Sequence, residues 1–228
     1  MVAAAAPRRP NRGTQMTQLR LAALVLLVGL GLASAPVRPA IAQDITKEAG
    51  AFVQSLGDKA IQIITDKSLD AKAREARFHD MLVDSFDVPG IGRFVLGRYW
   101  RSASEAQRAE FLKLFQAMIV KTYAGRFNEY KGEQFTVTGA HQDATGGAMV
   151  STVITQPNGR PPVKVDWRVQ LPEGKLKIVD VIIEGVSMSV TQQQEFGSVI
   201  QRHGGQLDGL LATMRERVQQ QNAASAKG

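Results

Sequence analysis

The side chains through which this chain could bind a metal or move protons are few, and their spacing excludes most such chemistry. His79, His141 and His203 lie far apart, and none has a ligand-type residue three or four positions on. A metal site would have to be assembled wholly by tertiary contact, so no metal and no cofactor is expected. With no cysteine in 228 residues, disulfide scaffolds, thiolate zinc sites, iron–sulfur ligation and thiol nucleophiles are all excluded. There is no G-x-S-x-G elbow and no G-x-x-x-x-G-K-[ST] loop, and Gly90, Gly92 and Gly97 have the wrong spacing for a dinucleotide loop. Asp166 and Asp180 remain as carboxylates on expected strands, where a cone-shaped sheet could desolvate an acid and raise its pKa. Asp166 falls on the polar side of its strand. Asp180 shares a face with Ile178 and Ile182; it could point inward as a general base, hold a turn, or pair with a basic residue.

Basic residues give a second set of candidates. Arg93, Arg98 and Arg101, with Lys121 and Arg126, form either an ordinary solvated face or a docking patch for acidic partner surfaces or lipid phosphates. The formal charge of +7 does not by itself point to nucleic acid, because the excess is local. Residues 1–42 hold Arg8, Arg9, Arg12, Arg20 and Arg38 and no acid, which leaves 23 basic against 21 acidic residues in the rest. The aromatic residues fall on core periodicities and do not interleave with the arginines, so no nucleic-acid partner is expected.

Those first 42 residues read as an export signal: a basic segment ending at Arg20, an apolar run Leu21 to Leu32, then small residues. Of the two small-x-small sites, Ala33-Ser34-Ala35 would place Pro36 just after the cut, which favours cleavage after Ala42. The rival reading is an uncleaved anchor, but Leu21 to Val37 is shorter than the roughly 20 apolar residues a bilayer requires. The expected localisation is periplasmic. A single domain, 43–228, follows, with 219–228 as a frayed tail.

Within that domain the period is helical first. Ala49, Phe52, Val53, Leu56, Ala60, Ile63 and Ile64 make one face of a helix over 46–65. Ser68 is placed to cap a second helix, and Pro89 and Gly97 bracket a short third. Ser104 and Gln107 have capping-box spacing for a long helix from Glu105 to Tyr130. After Gly132 the period becomes two, with strands near 133–140, 148–156, 163–170 and 175–183, separated by Gly146-Gly147, Pro157-Asn158-Gly159 and Pro172-Glu173-Gly174. The last strand is apolar on both faces from Ile178 to Ile183, as for a strand covered on both sides. A capping box at Thr191–Gln194, a stop at Gly204-Gly205 and a final helix through Val218 complete the chain. This order predicts an α+β fold, several helices on one face of a curved four-stranded antiparallel sheet, an NTF2/cystatin-like cone with an apolar cavity.

The segments Phe86-Asp87-Val88-Pro89, Leu96-Gly97-Arg98-Tyr99-Trp100-Arg101, Thr122-Tyr123-Ala124 with Arg126-Phe127 and Tyr130, and Val179 to Met188 carry a resemblance. Over about residues 48–218 the chain resembles the MlaC family, the phospholipid-binding or toluene-tolerance proteins, of which a related branch is associated with hopanoids. The resemblance implies a non-enzymatic, monomeric carrier that holds phospholipid tails between helices and sheet. Its implied partners are an inner-membrane MlaFEDB-like ABC transporter and an outer-membrane MlaA-like lipoprotein complex. The candidate lipid-contacting side chains are then Trp100; Phe115, Met118, Ile119, Thr122, Tyr123 and Phe127 on the long helix; Trp167, Val181 and Ile183 on strands; and Val186 and Met188. For each of these the plain alternative is ordinary core packing. One departure stands out: Thr191-Gln192-Gln193-Gln194 occupies the stretch where relatives often carry an arginine, so a headgroup or partner contact from that position is not expected here.

Overall fold

The structure, a computed structural model, describes residues 39–157 and 159–225, with side chains from 45 to 223. Residues 1–38 of the expected leader, Asn158 of one expected turn and the last three residues lie outside the described residues. Among the described residues no helix is long and apolar enough to cross a membrane.

The first helix, α1, spans Pro39–Thr65 and so begins seven residues before the expected start. The second, α2 (Ala71–Ser85), is capped by Asp70, whose carboxylate accepts from the Ala73 N–H at 2.7 Å. Ser68 does not cap it; its N–H and hydroxyl both donate to Asp66 and close the preceding turn. A carboxylate next to the first turn outcompetes a hydroxyl two residues further out, because it also meets the positive end of the helix dipole. Then α3 (Val88–Leu96) opens on an Asp87 cap with Pro89 in its first turn and ends at Gly97, whose φ of 52° turns the chain into a one-turn helix, α4 (Arg98–Ser102).

The capping box is present at Ser104 and Gln107, and the helix it starts, α5, runs Glu105–Ala124. It stops short of the expected Tyr130. Gly125 caps it, and the chain tightens into a 3₁₀ turn over Phe127–Glu129, which takes Phe127 and Tyr130 off the helical stripe.

Strands β1 (Gln134–Gln142), β2 (Ala148–Thr155), β3 (Val163–Gln170), β4 (Lys177–Ile183) and β5 (Val186–Ser187) form one antiparallel meander in chain order. The fifth, two-residue strand is a correction to the expected four. It exists because Glu184 and Gly185 both take positive φ and close a tight hairpin after Ile183. The apolar run in β4 also has a different cause from the one expected. Ile178 pairs with Val169 while Val181 and Ile183 pair with Trp167 and Val165, leaving Val179 as an extra residue opposite β3. That bulge reverses the alternation, so Ile178, Val181 and Ile183 all face the helices.

The sixth helix, α6, covers Met188–Arg202 and is capped by Ser187, not by the Thr191 box: the Ser187 hydroxyl accepts from the Val190 N–H at 3.1 Å, and Thr191 donates back to the Ser187 carbonyl. Gly204 and Gly205, with φ of 68° and 81°, end it. The last helix, α7 (Leu207–Ser225), continues through most of the expected frayed tail. It lies along α5, held by Gln107 to Asp208, by a two-point Arg215–Glu110 pair and by Gln221 to Thr122.

The apolar interior forms two clusters. One belongs to the helices: Phe111, Phe115 and Phe196 pack ring on ring at 5.6 to 6.1 Å, surrounded by Leu96, Ile200, Leu210, Leu211 and Met214. The other joins α1 to the sheet through Ala49, Val53, Leu56, Val150, Val169 and Ile178. Phe78 and Phe86 touch both.

Candidate functional site

Phe78 and Phe86 bridge the two clusters, and elsewhere the layers part. A cleft of about 610 Å³ separates them, within the range of sites that hold small organic ligands. One wall is helical: Leu56, Ala60, Ile61 and Ile64 from α1, Phe78 and Met81 from α2, and Phe115, Met118, Ile119, Thr122 and Tyr123 from α5. The sheet supplies the other: Phe135, Ile154, Val165, Trp167, Val181 and Ile183, with Met188 where α6 begins. The bulge in β4 is what delivers both Val181 and Ile183 to this wall.

A wall so apolar admits polar atoms only if they are already satisfied. The Trp167 indole N–H donates to the Thr152 hydroxyl at 2.9 Å, and that hydroxyl donates to the Val165 carbonyl at 2.9 Å. Thr152 is 1% exposed, so this relay lets the indole sit in the wall without exposing a polar tip to the cleft. Phe135 packs edge-on against the same indole at 6.0 Å. Gly57 lies so close beneath the Phe135 ring that a Cβ there would collide with it.

Asp180 is buried at 8% exposure and borders the cleft, yet it does not present a free oxygen. Oδ1 accepts from the Val181 and Ser189 N–H groups at 2.9 and 3.1 Å, and Oδ2 accepts from the Ser187 hydroxyl at 2.7 Å. It ties β4 to the first turn of α6, the turn-holding alternative among its expected roles. Asp166 accepts from Ser151 at 2.6 Å across the strands. His203 bonds the Val199 carbonyl, His79 contacts Asp80 and Gln116, and no cluster of ligand residues able to hold a metal occurs among the described residues.

Of the twelve candidate side chains, Phe115, Met118, Ile119, Thr122, Tyr123, Trp167, Val181, Ile183 and Met188 line the cleft. Three do not. Trp100 is carried on α4 onto the helical cluster, beneath the Arg108 guanidinium, because the Gly97 turn redirects the chain. Phe127, moved by the 3₁₀ turn, packs edge-on behind Phe78 at 5.1 Å and backs the wall without forming it. Val186 sits on the edge strand, 53% exposed. Sequence reasoning missed the α1 contribution, Ile61 and Ile64, and the β1 contribution, Phe135. The α1 periodicity signals an apolar face without showing that its C-terminal end overhangs a space.

Among the basic candidates Arg93, Arg98, Arg101 and Arg126 are exposed, with Arg98 stacked on Tyr99 at 4.9 Å. Lys121 leaves the set: its ammonium pairs with Glu75 of α2 at 2.7 Å and joins two helices.

A family model for the MlaC protein matches residues 54–216, most of the chain. The chain belongs to the MlaC family. Among MlaC-type relatives, the intermembrane phospholipid transport system binding protein MlaC of Haemophilus influenzae is 26% identical over 132 residues, 57% of this chain and 61% of that one. The toluene tolerance protein ttg2D of Pseudomonas putida is 27% identical over 123 residues, 54% of this chain and 57% of that one. The chain thus spans about three fifths of the length of these curated relatives. A phospholipid-binding protein of Ralstonia solanacearum, solved in complex with a phospholipid, matches with a TM-score of 0.67 at 23% identity, covering 76% of this chain and 98% of that one. That likeness establishes the α+β fold shared with that protein.

Proposed function

We propose that this protein is a non-enzymatic carrier that takes phospholipid acyl tails into the cleft and moves lipid across the periplasm, between an inner-membrane Mla-type ABC transporter and an outer-membrane MlaA-type lipoprotein complex. The observation that carries the reading is the cleft itself, apolar on both walls and lying between the helical cluster and the sheet cluster in a chain of the MlaC family. Burial of a methylene stabilises by about 0.8 kcal/mol, so releasing a two-tailed lipid of on the order of 30 methylenes into water costs on the order of 20 kcal/mol. Free diffusion across an aqueous gap is far too slow against such a barrier, and a carrier that replaces the water removes it. The relative named for intermembrane phospholipid transport supports that cargo class. Non-enzymatic function is supported by Asp180, whose oxygens are committed to backbone and hydroxyl donors.

In this reading residues 1–42 form a cleaved export signal, and 43–228 are the mature, monomeric carrier. Arg93, Arg98, Arg101 and Arg126 supply positive charge for docking on acidic partner surfaces, where long-range attraction speeds encounter. The test is to express the full chain in a Gram-negative host, recover it from the periplasmic fraction and extract it with solvent. The expected result is phospholipid bound near one per chain, transferable to acceptor vesicles. Recovery of no lipid, with no transfer, contradicts the reading; recovery of a polycyclic lipid in its place would change the cargo.

A further inference from the structure

The cleft's lining carries only one basic side chain among the described residues, Arg217 of α7. Its surroundings single it out. Gln221, one turn on and on the same face of the helix, donates to the hydroxyl of Thr122 in the cleft wall at 3.0 Å, so this stripe of α7 borders the opening. Arg215, two residues earlier, points elsewhere and is consumed by its two-point pair with Glu110 at 2.6 and 2.9 Å. Arg217 is exposed and has no acceptor among the described residues, so its five N–H donors face water.

The acidic groups in the lining sharpen the contrast. Asp180 is committed to its three donors. Glu133, on the short segment before β1, accepts from the Lys131 N–H at 2.7 Å, which holds its carboxyl below the usual range and keeps it ionised. An anion is therefore repelled near Glu133. Glu195 of α6 also borders the cleft, with one oxygen bonded by Gln192 at 3.2 Å.

We infer that Arg217 receives the phosphodiester of the bound lipid, so that the headgroup emerges beside α7 and the tails run inward between α5 and the sheet. This inference rests on the carrier reading above and adds an orientation and a phosphate site to it. A guanidinium suits the task because it is charged at every relevant pH and grips two phosphate oxygens at once.

The test compares dioctanoyl phosphatidylglycerol with dioctanoylglycerol, which has the same tails and no phosphate, on delipidated protein by titration calorimetry. Arg217→Gln is expected to weaken phosphatidylglycerol roughly five- to tenfold, the scale of one partly solvated charge-assisted hydrogen bond, and to leave dioctanoylglycerol unchanged. Arg217→Lys is expected to recover part of the loss, and Arg215→Gln, which removes the same charge two residues away, to leave the phosphatidylglycerol preference intact. Wild-type affinity for phosphatidylglycerol in Arg217→Gln, or an equal loss for both lipids, overturns the phosphate site while leaving the carrier reading standing. If the unaltered protein binds neither lipid, the carrier reading fails and this inference with it.

Discussion

One apolar stripe of α5 does opposite things along its length. Toward the helix start it is closed: Phe111, Phe115 and Phe196 meet ring on ring, with Phe111 wholly buried and Leu210, Leu211 and Met214 filling the gaps. Toward the helix end it is open: beyond Phe115, which borders both regions, Ile119, Thr122 and Tyr123 look across a space toward Trp167 and Val181. The difference is one of spacing between layers. Helix α7 lies directly along α5 and is drawn in by side-chain pairs at both ends and the middle. The sheet is packed instead against α1, which stands it off from α5. An apolar stripe thus becomes core or cavity wall according to what the next layer is fastened to.

The contrast predicts very different responses to substitution. The largest effect belongs to the closed end: Phe111→Ala removes a fully buried ring from an interlocked trio and is expected to cost about 3–5 kcal/mol. Urea denaturation would measure it, and a loss under about 1 kcal/mol would show that this end too is loosely filled. Ile119→Trp at the open end should act on cargo more than on the fold. It inserts bulk that a filled core would resist at a cost of about 1–3 kcal/mol, whereas here stability should change by less than about 1 kcal/mol while bound lipid falls several-fold. Destabilisation with lipid binding intact would invert the comparison.

Smaller effects sharpen the picture of the wall. Thr152→Val leaves the Trp167 indole N–H without its acceptor and is expected to cost about 1–3 kcal/mol in denaturant. The β1–β2 turn offers a pH-dependent case. Burial raises the pKa of Asp143, but hydrogen bonds from the Thr145 hydroxyl and N–H and the Gly147 N–H outweigh it, so the carboxyl sits below its ordinary 3.8. A pKa depressed by folding contributes stability above the unfolded value and loses it as pH falls through the folded one. Unfolding midpoints should therefore decline below about pH 4, and Asp143→Asn should flatten part of that decline, read as the difference between the two pH profiles.

Much of this arrangement was legible in the chain before any coordinates. The order of elements, the Ser104–Gln107 box and the alternation of Val163, Val165, Trp167 and Val169 each have a local cause, and each appears in place. What escaped has a non-local cause. The bulge at Val179 depends on how β3 and β4 are registered, and without it the run Ile178–Ile183 reads as double cover. Lys121 reads as a free cation until α2 brings Glu75 beside it. Trp100 and Phe127 match the apolar stripe in type, but the Gly97 turn and the 3₁₀ turn after Gly125 carry them out of the wall. Arg217 has no sequence signal at all, since its importance comes only from being where the greasy lining ends.

The chain's two tryptophans fall on opposite sides of the distinction, which permits a direct test. Trp167 lines the cleft and Trp100 packs on the helical cluster. In Trp100→Phe protein, loading with a phospholipid whose acyl chains are brominated should strongly quench the remaining Trp167 fluorescence; in Trp167→Phe protein the same lipid should leave Trp100 nearly unquenched. Equal quenching of both, or quenching of neither at saturating lipid, would contradict the claim that hydrocarbon occupies the space between the helices and the sheet.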